Sequence, residues 1–238
     1  MVRKLAYSVS EREHWVSSAG GLVGILAVLW VSHFWLGGHG GILAIASMGA
    51  SAVLLFAAPH GALSQPWPVF GGHLVSALIG VTCAQWLGGE PMLAAALAVA
   101  LSIAGMYSLR CLHPPGGATA LYAVLGGESV HALGYGYLLS PVLLNVVVLL
   151  AVAVAFNYPF AWRRYPQAWH RRAAAEPQAV EESMIPHSNL VYALSQIDTF
   201  VDVSEEDLQR IYALALGKHV PVPEGTAPTA QPAVESAR

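Results

Sequence analysis

Charge is scarce in this sequence and almost missing from its central part. Charged residues make up 11% of the 238 residues, against roughly 25% in ordinary soluble domains. Between residues 19 and 161 the chain carries only three of them, Glu90, Arg110 and Glu128. A block of this length with so few charges excludes a soluble domain and predicts a membrane domain. The other charges lie at the two ends, so the formal net charge of −3 is an average that says little about partners; no nucleic-acid partner is expected.

Cysteines and motifs of catalysis or metal binding are equally scarce. The two cysteines, Cys83 and Cys111, lie in or beside apolar stretches and provide neither a disulfide framework nor a metal spacing. Six histidines fall in the apolar block, but no pair at ligand spacing shares one helical face. No nucleophile with its base, phosphate loop or redox motif is evident. We therefore expect no enzyme, no metal and no cofactor.

Six apolar stretches predict an all-α fold, a polytopic bundle of membrane helices. They cover residues 19–36, 42–58, 70–88, 91–109, 114–125 and 138–157. Five of them have about the length needed to cross roughly 30 Å of hydrocarbon. The stretch 114–125 is too short, because a helix of that length rises only about 18 Å. It therefore starts at mid-depth or enters the membrane and returns. No cleavable signal peptide is evident, because the first apolar stretch is long enough to span.

The basic residues near the two ends predict the orientation. Arg3, Lys4 and Arg12 precede the first span, and four arginines follow the last one at positions 163, 164, 171 and 172. By the positive-inside bias both termini are predicted to be cytoplasmic. Two cytoplasmic ends require an even number of crossings. Six crossings result if the short stretch spans, and four if it is re-entrant and one other stretch does not cross.

The composition divides the chain into five regions. They are a polar N-terminal segment (1–18), a transmembrane domain (19–161), a basic linker (162–187), a helical connector (188–217) and a tail (218–238). The connector predicts two short amphipathic helices, with Leu190, Leu194 and Ile197 at helical spacing. The tail is rich in proline and small residues, which predicts disorder.

A proline break separates two of the apolar stretches. Its sequence is His113-Pro114-Pro115-Gly116-Gly117-Ala118-Thr119-Ala120. Two successive prolines prevent a continuous helix. At membrane depth, irregular backbone is tolerated only where it is buried in protein or lines a cavity. The break is therefore the predicted functional site.

The short helix that begins at the prolines predicts an anion-binding site. Its first N–H groups, those of Gly116 and Gly117 among them, lack partners within the helix, and the helix dipole favours negative charge there. Arg110 adds a fixed positive charge, His113 a titratable group and Thr119 a hydroxyl. The alternative is structural: the prolines start the helix, Arg110 anchors the interface and His113 hydrogen-bonds a carbonyl.

Four further polar residues are candidates for a transport path. His60 and His73 lie beside proline or glycine at the ends of two spans, where they could relay protons near neutral pH. Ser51 and Asn145 are polar positions within apolar stretches and could line the path. Ordinary hydrogen bonding to neighbouring helices is the alternative for each.

A faint internal repeat is also present. Gly49-Ala50-Ser51-Ala52 resembles Gly117-Ala118-Thr119-Ala120 at an offset of 68 residues, and the same offset places residues 71–81 on 139–149. Three segments followed by three segments make an inverted repeat, the plan of many secondary transporters. The alternative is that small residues recur in membrane helices because they let backbones approach closely.

The break, from Leu112 to Leu121, resembles the signature of the HPP family of integral membrane proteins. Other stretches agree with it in the family's order: residues 49–56, 58–60, 65–66, 71–78 and 145–146. Some plant and cyanobacterial members are implicated in nitrite transport. The resemblance implies a transporter or channel for a small anion, nitrite or a similar oxyanion, with the bilayer as its other partner. The expected location is a bacterial inner membrane.

The resemblance leaves three points to be considered. Many bacterial relatives continue into a pair of CBS domains, which bind adenine nucleotides, and this chain is expected to lack them. A second hypothesis is a non-transporting membrane sensor or scaffold that signals through the connector of residues 188–217. Association into a homo-oligomer also stays open.

Overall fold

The computed structural model describes residues 11–36, 45–169 and Leu208. Within these ranges the chain forms α-helices and no strand. The helices are α1 (Glu11–Leu36), α2 (Ile45–Ala57), α3 (Pro66–Trp86), α4 (Pro91–Ser108), α5 (Pro115–Leu125), α6 (Glu128–His131) and α7 (Leu144–Asn157). A π-helical stretch, Leu138–Leu143, runs into α7, so that Leu138–Asn157 forms one span. The prediction of an all-α membrane bundle is confirmed.

Four of these helices are long and apolar enough to cross a membrane: Glu11–Trp35, Pro66–Trp86, Pro91–Ser108 and Leu138–Asn157. The two others of the core, α2 and α5, have 13 and 11 residues, which corresponds to a rise of about 20 and 17 Å. The short helix after the prolines was predicted. A second short helix was not, because residues 42–58 were expected to span and α2 covers only part of them.

Prolines set the start of three helices. Pro66, Pro91 and Pro115 each stand in the first turn of α3, α4 and α5, where a missing N–H costs no hydrogen bond. For this reason α3 begins four residues before the predicted apolar stretch. Helix α1 also begins early, at Glu11, with two acidic residues in its first turn that suit the positive end of the helix dipole.

The packing places α3 at the centre of the bundle. It lies against α4 and α5, while α1 lies against α2 and α7, and α2 also contacts α5 and α7. A core of buried apolar side chains joins these helices, including Val28, Met48, Phe56 and Leu149. The site described below lies where α2, α3 and α5 meet.

Glycines allow α3 and α5 to approach backbone to backbone. A Cβ at Gly80 would lie 2.6 Å from the carbonyl oxygen of Ala120, and one at Gly116 would lie 2.8 Å from that of Gly72. A Cβ at Gly72 would lie 2.6 Å from the Cβ of His113. This is the small-residue packing that membrane helices use when no hydrophobic force drives them together.

The residues after the last span fold back over one end of the bundle. Arg163, only 1% exposed, donates hydrogen bonds to the Asn157 side chain, Ser17 Oγ and the Phe56 carbonyl, and pairs with Glu13. Burial lowers the pKa of Arg163, and the Glu13 carboxylate opposes this shift. The start of α1 and the end of the last span therefore lie at the same end of the bundle.

The other predicted regions are described only in part. The described residues 11–36 and 45–169 belong to one compact unit. Residues 162–169, predicted as the start of a linker, are part of this unit. The predicted connector, apart from Leu208, and the predicted tail lie outside the described residues.

We expect Gly72→Ala to destabilise the bundle by about 1–3 kcal/mol, because the new methyl group forces α3 away from His113. The control is Gly49→Ala, since a Cβ there meets no atom within 4 Å. Thermal unfolding in detergent micelles measures both variants. Equal unfolding temperatures would contradict the packing described here.

Candidate functional site

Four buried polar side chains meet between α2, α3 and α5. They are Ser51 on α2, His73 on α3, His113 in the turn before α5 and Thr119 on α5, and each has a relative exposure of 0%. Ser51 Oγ lies 2.8 Å from His73 Nε2 and 2.8 Å from His113 Nε2. His73 Nδ1 lies 2.7 Å from Thr119 Oγ1. We call these four residues the histidine network.

The proline break and its neighbouring glycines make room for this network. Helix α4 ends at Ser108 and the chain starts again as α5 at Pro115, which leaves His113 on the connecting turn. Gly72, beside His73, has no side chain, so the His113 side chain can lie directly against α3. Each imidazole thus reaches Ser51 from a different helix or turn.

A backbone carbonyl fixes the proton position on His113. Its Nδ1 lies 2.9 Å from the carbonyl oxygen of Leu63, and a carbonyl can only accept. Nδ1 therefore carries the hydrogen, and Nε2 of the neutral ring is an acceptor. The hydroxyl of Ser51 also lies 3.1 Å from the Ser47 carbonyl, but in the neutral network it donates to His113 Nε2 at 2.8 Å, because two acceptors would otherwise face each other.

The remaining hydrogen-bond directions follow from this one. Because Ser51 has donated its only hydrogen, its oxygen accepts from His73 Nε2, which places the His73 hydrogen there. His73 Nδ1 is then an acceptor for the hydroxyl of Thr119. In the neutral network, donation runs from Thr119 through His73 and Ser51 to His113 and ends at Leu63.

This arrangement can hold one extra proton and pass it between the rings. Ser51 can accept a hydrogen from one imidazole while it donates its own to the other. The ring centroids are 5.0 Å apart, so a second proton would bury two positive charges side by side. Among the described residues that hydrogen-bond to the network, none carries a fixed charge, and none completes a three-ligand metal group.

The structure brings together four of the residues predicted for the site. His113 and Thr119 come from the break, and His73 and Ser51 from the candidates for the path. Ser51 and Thr119, which correspond in the predicted repeat, bond to opposite nitrogens of one imidazole.

The first two N–H groups of α5 have acceptors in the turn before the helix. The N–H of Gly116 donates to the carbonyl of His113 at 2.8 Å, and that of Gly117 to the carbonyl of Pro114 at 3.0 Å. The sequence argument had considered only partners within the helix, and an anion at this terminus stays a prediction. Pro115 and Gly116 are buried, and Pro114 is exposed.

Three other predicted residues lie outside the network. Arg110 is exposed and has a φ of 52°, in the left-handed region. His60 is partly exposed in the loop after α2. Asn145 is buried, but its Oδ1 accepts from Ser32 Oγ at 2.6 Å, which links α7 to α1.

Two contributors to the site had not been predicted. The Leu63 carbonyl is a backbone group that any residue carries, so no sequence signal could have revealed it. Tyr137, also buried, donates its hydroxyl to the carbonyl of Thr119 at 3.3 Å. Its aromatic side chain in an apolar stretch gave no indication of this contact.

We expect Ser51→Ala to lower the stability by about 2 kcal/mol, because both Nε2 atoms lose a buried partner. The control is Ser108→Ala, which removes an exposed hydroxyl bonded to the Ala104 carbonyl in its own helix. Thermal unfolding in micelles compares the two variants. An equally small effect of both would show that the network contributes nothing to stability.

Comparison with known proteins identifies the family of this chain. The model of the HPP transmembrane region matches residues 6–166. Two transmembrane proteins of Dictyostelium discoideum are each 38% identical to this chain. The first match extends over 131 residues, which are 54% of this chain and 42% of the relative. The second extends over 128 residues, which are 52% of this chain and 45% of the relative. The matches thus span less than half the length of these relatives. No solved structure matches. With a family match over most of its length, centred on the helices that build the network, the chain belongs to the HPP transmembrane family.

Proposed function

We propose that this protein is a proton-coupled transporter of a small monovalent anion, with nitrite as the first candidate. The observation that carries the proposal is the histidine network: two imidazoles joined by one hydroxyl in the interior of a membrane bundle. Ionisable groups in such positions are costly and are usually kept for function. The choice of nitrite rests on the resemblance to family members implicated in its transport.

The lack of fixed charge around the network favours coupling to a proton. An anion that entered this region alone would be desolvated without a countercharge, which is expensive at low dielectric. One proton on His73 or His113 supplies that countercharge. Anion and proton would then move together, and the transported pair would be electrically neutral.

The position of the network suits a path through the bundle. His73 is seven residues beyond the start of α3, which puts it about 10 Å from that end. Two short helices, α2 and α5, border it and leave part of the membrane depth to irregular backbone. In transporters, binding sites form beside such interrupted helices.

The packing pattern supports the inverted repeat as part of this proposal. In the repeat, α1, α2 and α3 of the first half correspond to α4, α5 and α7 of the second. When each helix is replaced by its counterpart, the main packing pairs become other pairs that are also in contact. For example, α1 with α7 becomes α4 with α3, and α2 with α7 becomes α5 with α3. Two equivalent halves around a central site are the usual basis of alternating access.

The orientation and the role of Arg110 complete the proposal. By the positive-inside bias, the end at which α1 begins faces the cytoplasm of a bacterial cell, with both termini on that side. Arg110 is exposed three residues before His113. Its charge would raise the local concentration of anions at this mouth of the path.

Purified protein in liposomes should take up nitrite faster when the interior is more alkaline than the medium. His113→Gln should lower this uptake about tenfold or more, because the ring that holds the proton is lost. The control is His33→Gln, which changes an exposed histidine of α1. Uptake no faster than in empty liposomes, or uptake unaffected by His113→Gln, would refute the proposal.

Arg110→Gln should reduce nitrite uptake a few-fold at low ionic strength and much less at high salt, because screening weakens long-range attraction. Arg164→Gln removes the same charge from another exposed position and controls for net charge. Initial rates over a salt series measure the effect. A loss that is independent of salt would argue against electrostatic attraction by Arg110.

A further inference from the structure

We propose that Tyr165 is a positioning residue for His113, acting through the turn that carries the Leu63 carbonyl. The Tyr165 hydroxyl donates to the carbonyl of Ser64 at 2.8 Å, and both residues have an exposure of 0%. Burial raises the pKa of Tyr165, so its hydroxyl stays protonated and remains a donor. The residue next to Ser64 in this turn is Leu63.

The turn depends on contacts from outside itself. It is a single 3₁₀ turn, Ala62–Ser64, and such a short element has little stability of its own. Gln65 ties its two sides together: Nε2 donates to the carbonyls of Pro59 and Gly61, each at 3.0 Å. Oε1 of the same side chain accepts the N–H of Gln167 at 3.2 Å. The segment after the last span thus holds the turn at Ser64 and at Gln65.

That segment is itself anchored to the helices. Arg163, two residues before Tyr165, joins Glu13 and Ser17 of α1 to the Phe56 carbonyl of α2 and to Asn157 of α7. Asn157 in turn donates to the carbonyl of Leu55 at 3.2 Å. The position of the Tyr165 hydroxyl therefore follows from how α1, α2 and α7 pack.

The position of the turn matters because it selects a disfavoured tautomer. A free neutral histidine side chain prefers its hydrogen on Nε2, whereas the Leu63 carbonyl holds the His113 hydrogen on Nδ1. If the turn shifts, the hydrogen returns to Nε2. Donation in the neutral network would then run the other way, from His113 through Ser51 and His73 to Thr119, and His113 Nδ1 would be left without its hydrogen. The consequence for transport rests on the proposed function, but the consequence for the tautomer does not.

The test is the tautomer of His113 in protein labelled with ¹⁵N-histidine and reconstituted in liposomes. Solid-state NMR at about pH 8, above the usual titration range of imidazole, separates protonated from unprotonated ring nitrogens. The spectrum of His113→Gln identifies the His113 signals by their loss. In the unmodified protein we expect Nδ1 protonated and Nε2 unprotonated.

Tyr165→Phe keeps the buried ring and removes only the donor. We expect the Nε2–H form of His113 to appear and nitrite uptake to fall about two- to tenfold, the loss expected for one neutral hydrogen bond. Tyr107→Phe, at an exposed tyrosine of α4, is the matched control and should leave both readings unchanged. Gln65→Met is a second variant, which releases the same turn without touching Tyr165.

The outcomes separate this inference from the proposed function. If His113 keeps its hydrogen on Nδ1 in both Tyr165→Phe and Gln65→Met, the positioning role is overturned, whatever the uptake. If the tautomer changes while the unmodified protein carries no nitrite, the positioning role stands and the transport proposal fails. If either Tyr165→Phe or Gln65→Met unfolds in micelles, the tautomer of His113 is measured in the variant that stays folded.

Discussion

The hydrogen bond from His113 to the Leu63 carbonyl sets the order of the histidine network in this bundle. A carbonyl accepts and never donates, so it fixes the hydrogen on Nδ1 of His113. That single constraint then determines how Ser51, His73 and Thr119 donate. A neutral chain with one arrangement of hydrogens results, and its charge changes only when a proton is added.

The same network explains how four polar side chains are tolerated in an apolar domain. Each buried imidazole nitrogen and each hydroxyl of the network has a partner within hydrogen-bonding distance, which removes most of the cost of burying it. The glycines of α3 and α5 are a condition for this, because the rings meet only when the two backbones lie close together. Packing and polar chemistry are therefore coupled at Gly72, which touches His113.

Local features of the structure could be predicted, but contacts between distant segments could not. Prolines identified the starts of α4 and α5, because proline stereochemistry acts on its own residue and the one before it. A local argument did not reveal the acceptors of the Gly116 and Gly117 N–H groups, because the preceding turn supplies them. Arg110 was grouped with His113 because the two are close in sequence. Arg110 itself adopts the left-handed conformation between α4 and the network, and its side chain is exposed.

By itself the sequence determined the membrane class, the approximate helices, the break at Pro114 and Pro115, and the family resemblance. These follow from composition and from backbone stereochemistry, which act over a few residues. Only the tertiary structure decided that Ser51 bridges His73 and His113, and that Tyr165 holds the turn bearing Leu63. Such contacts join residues up to 101 positions apart, and their geometry depends on how the helices pack.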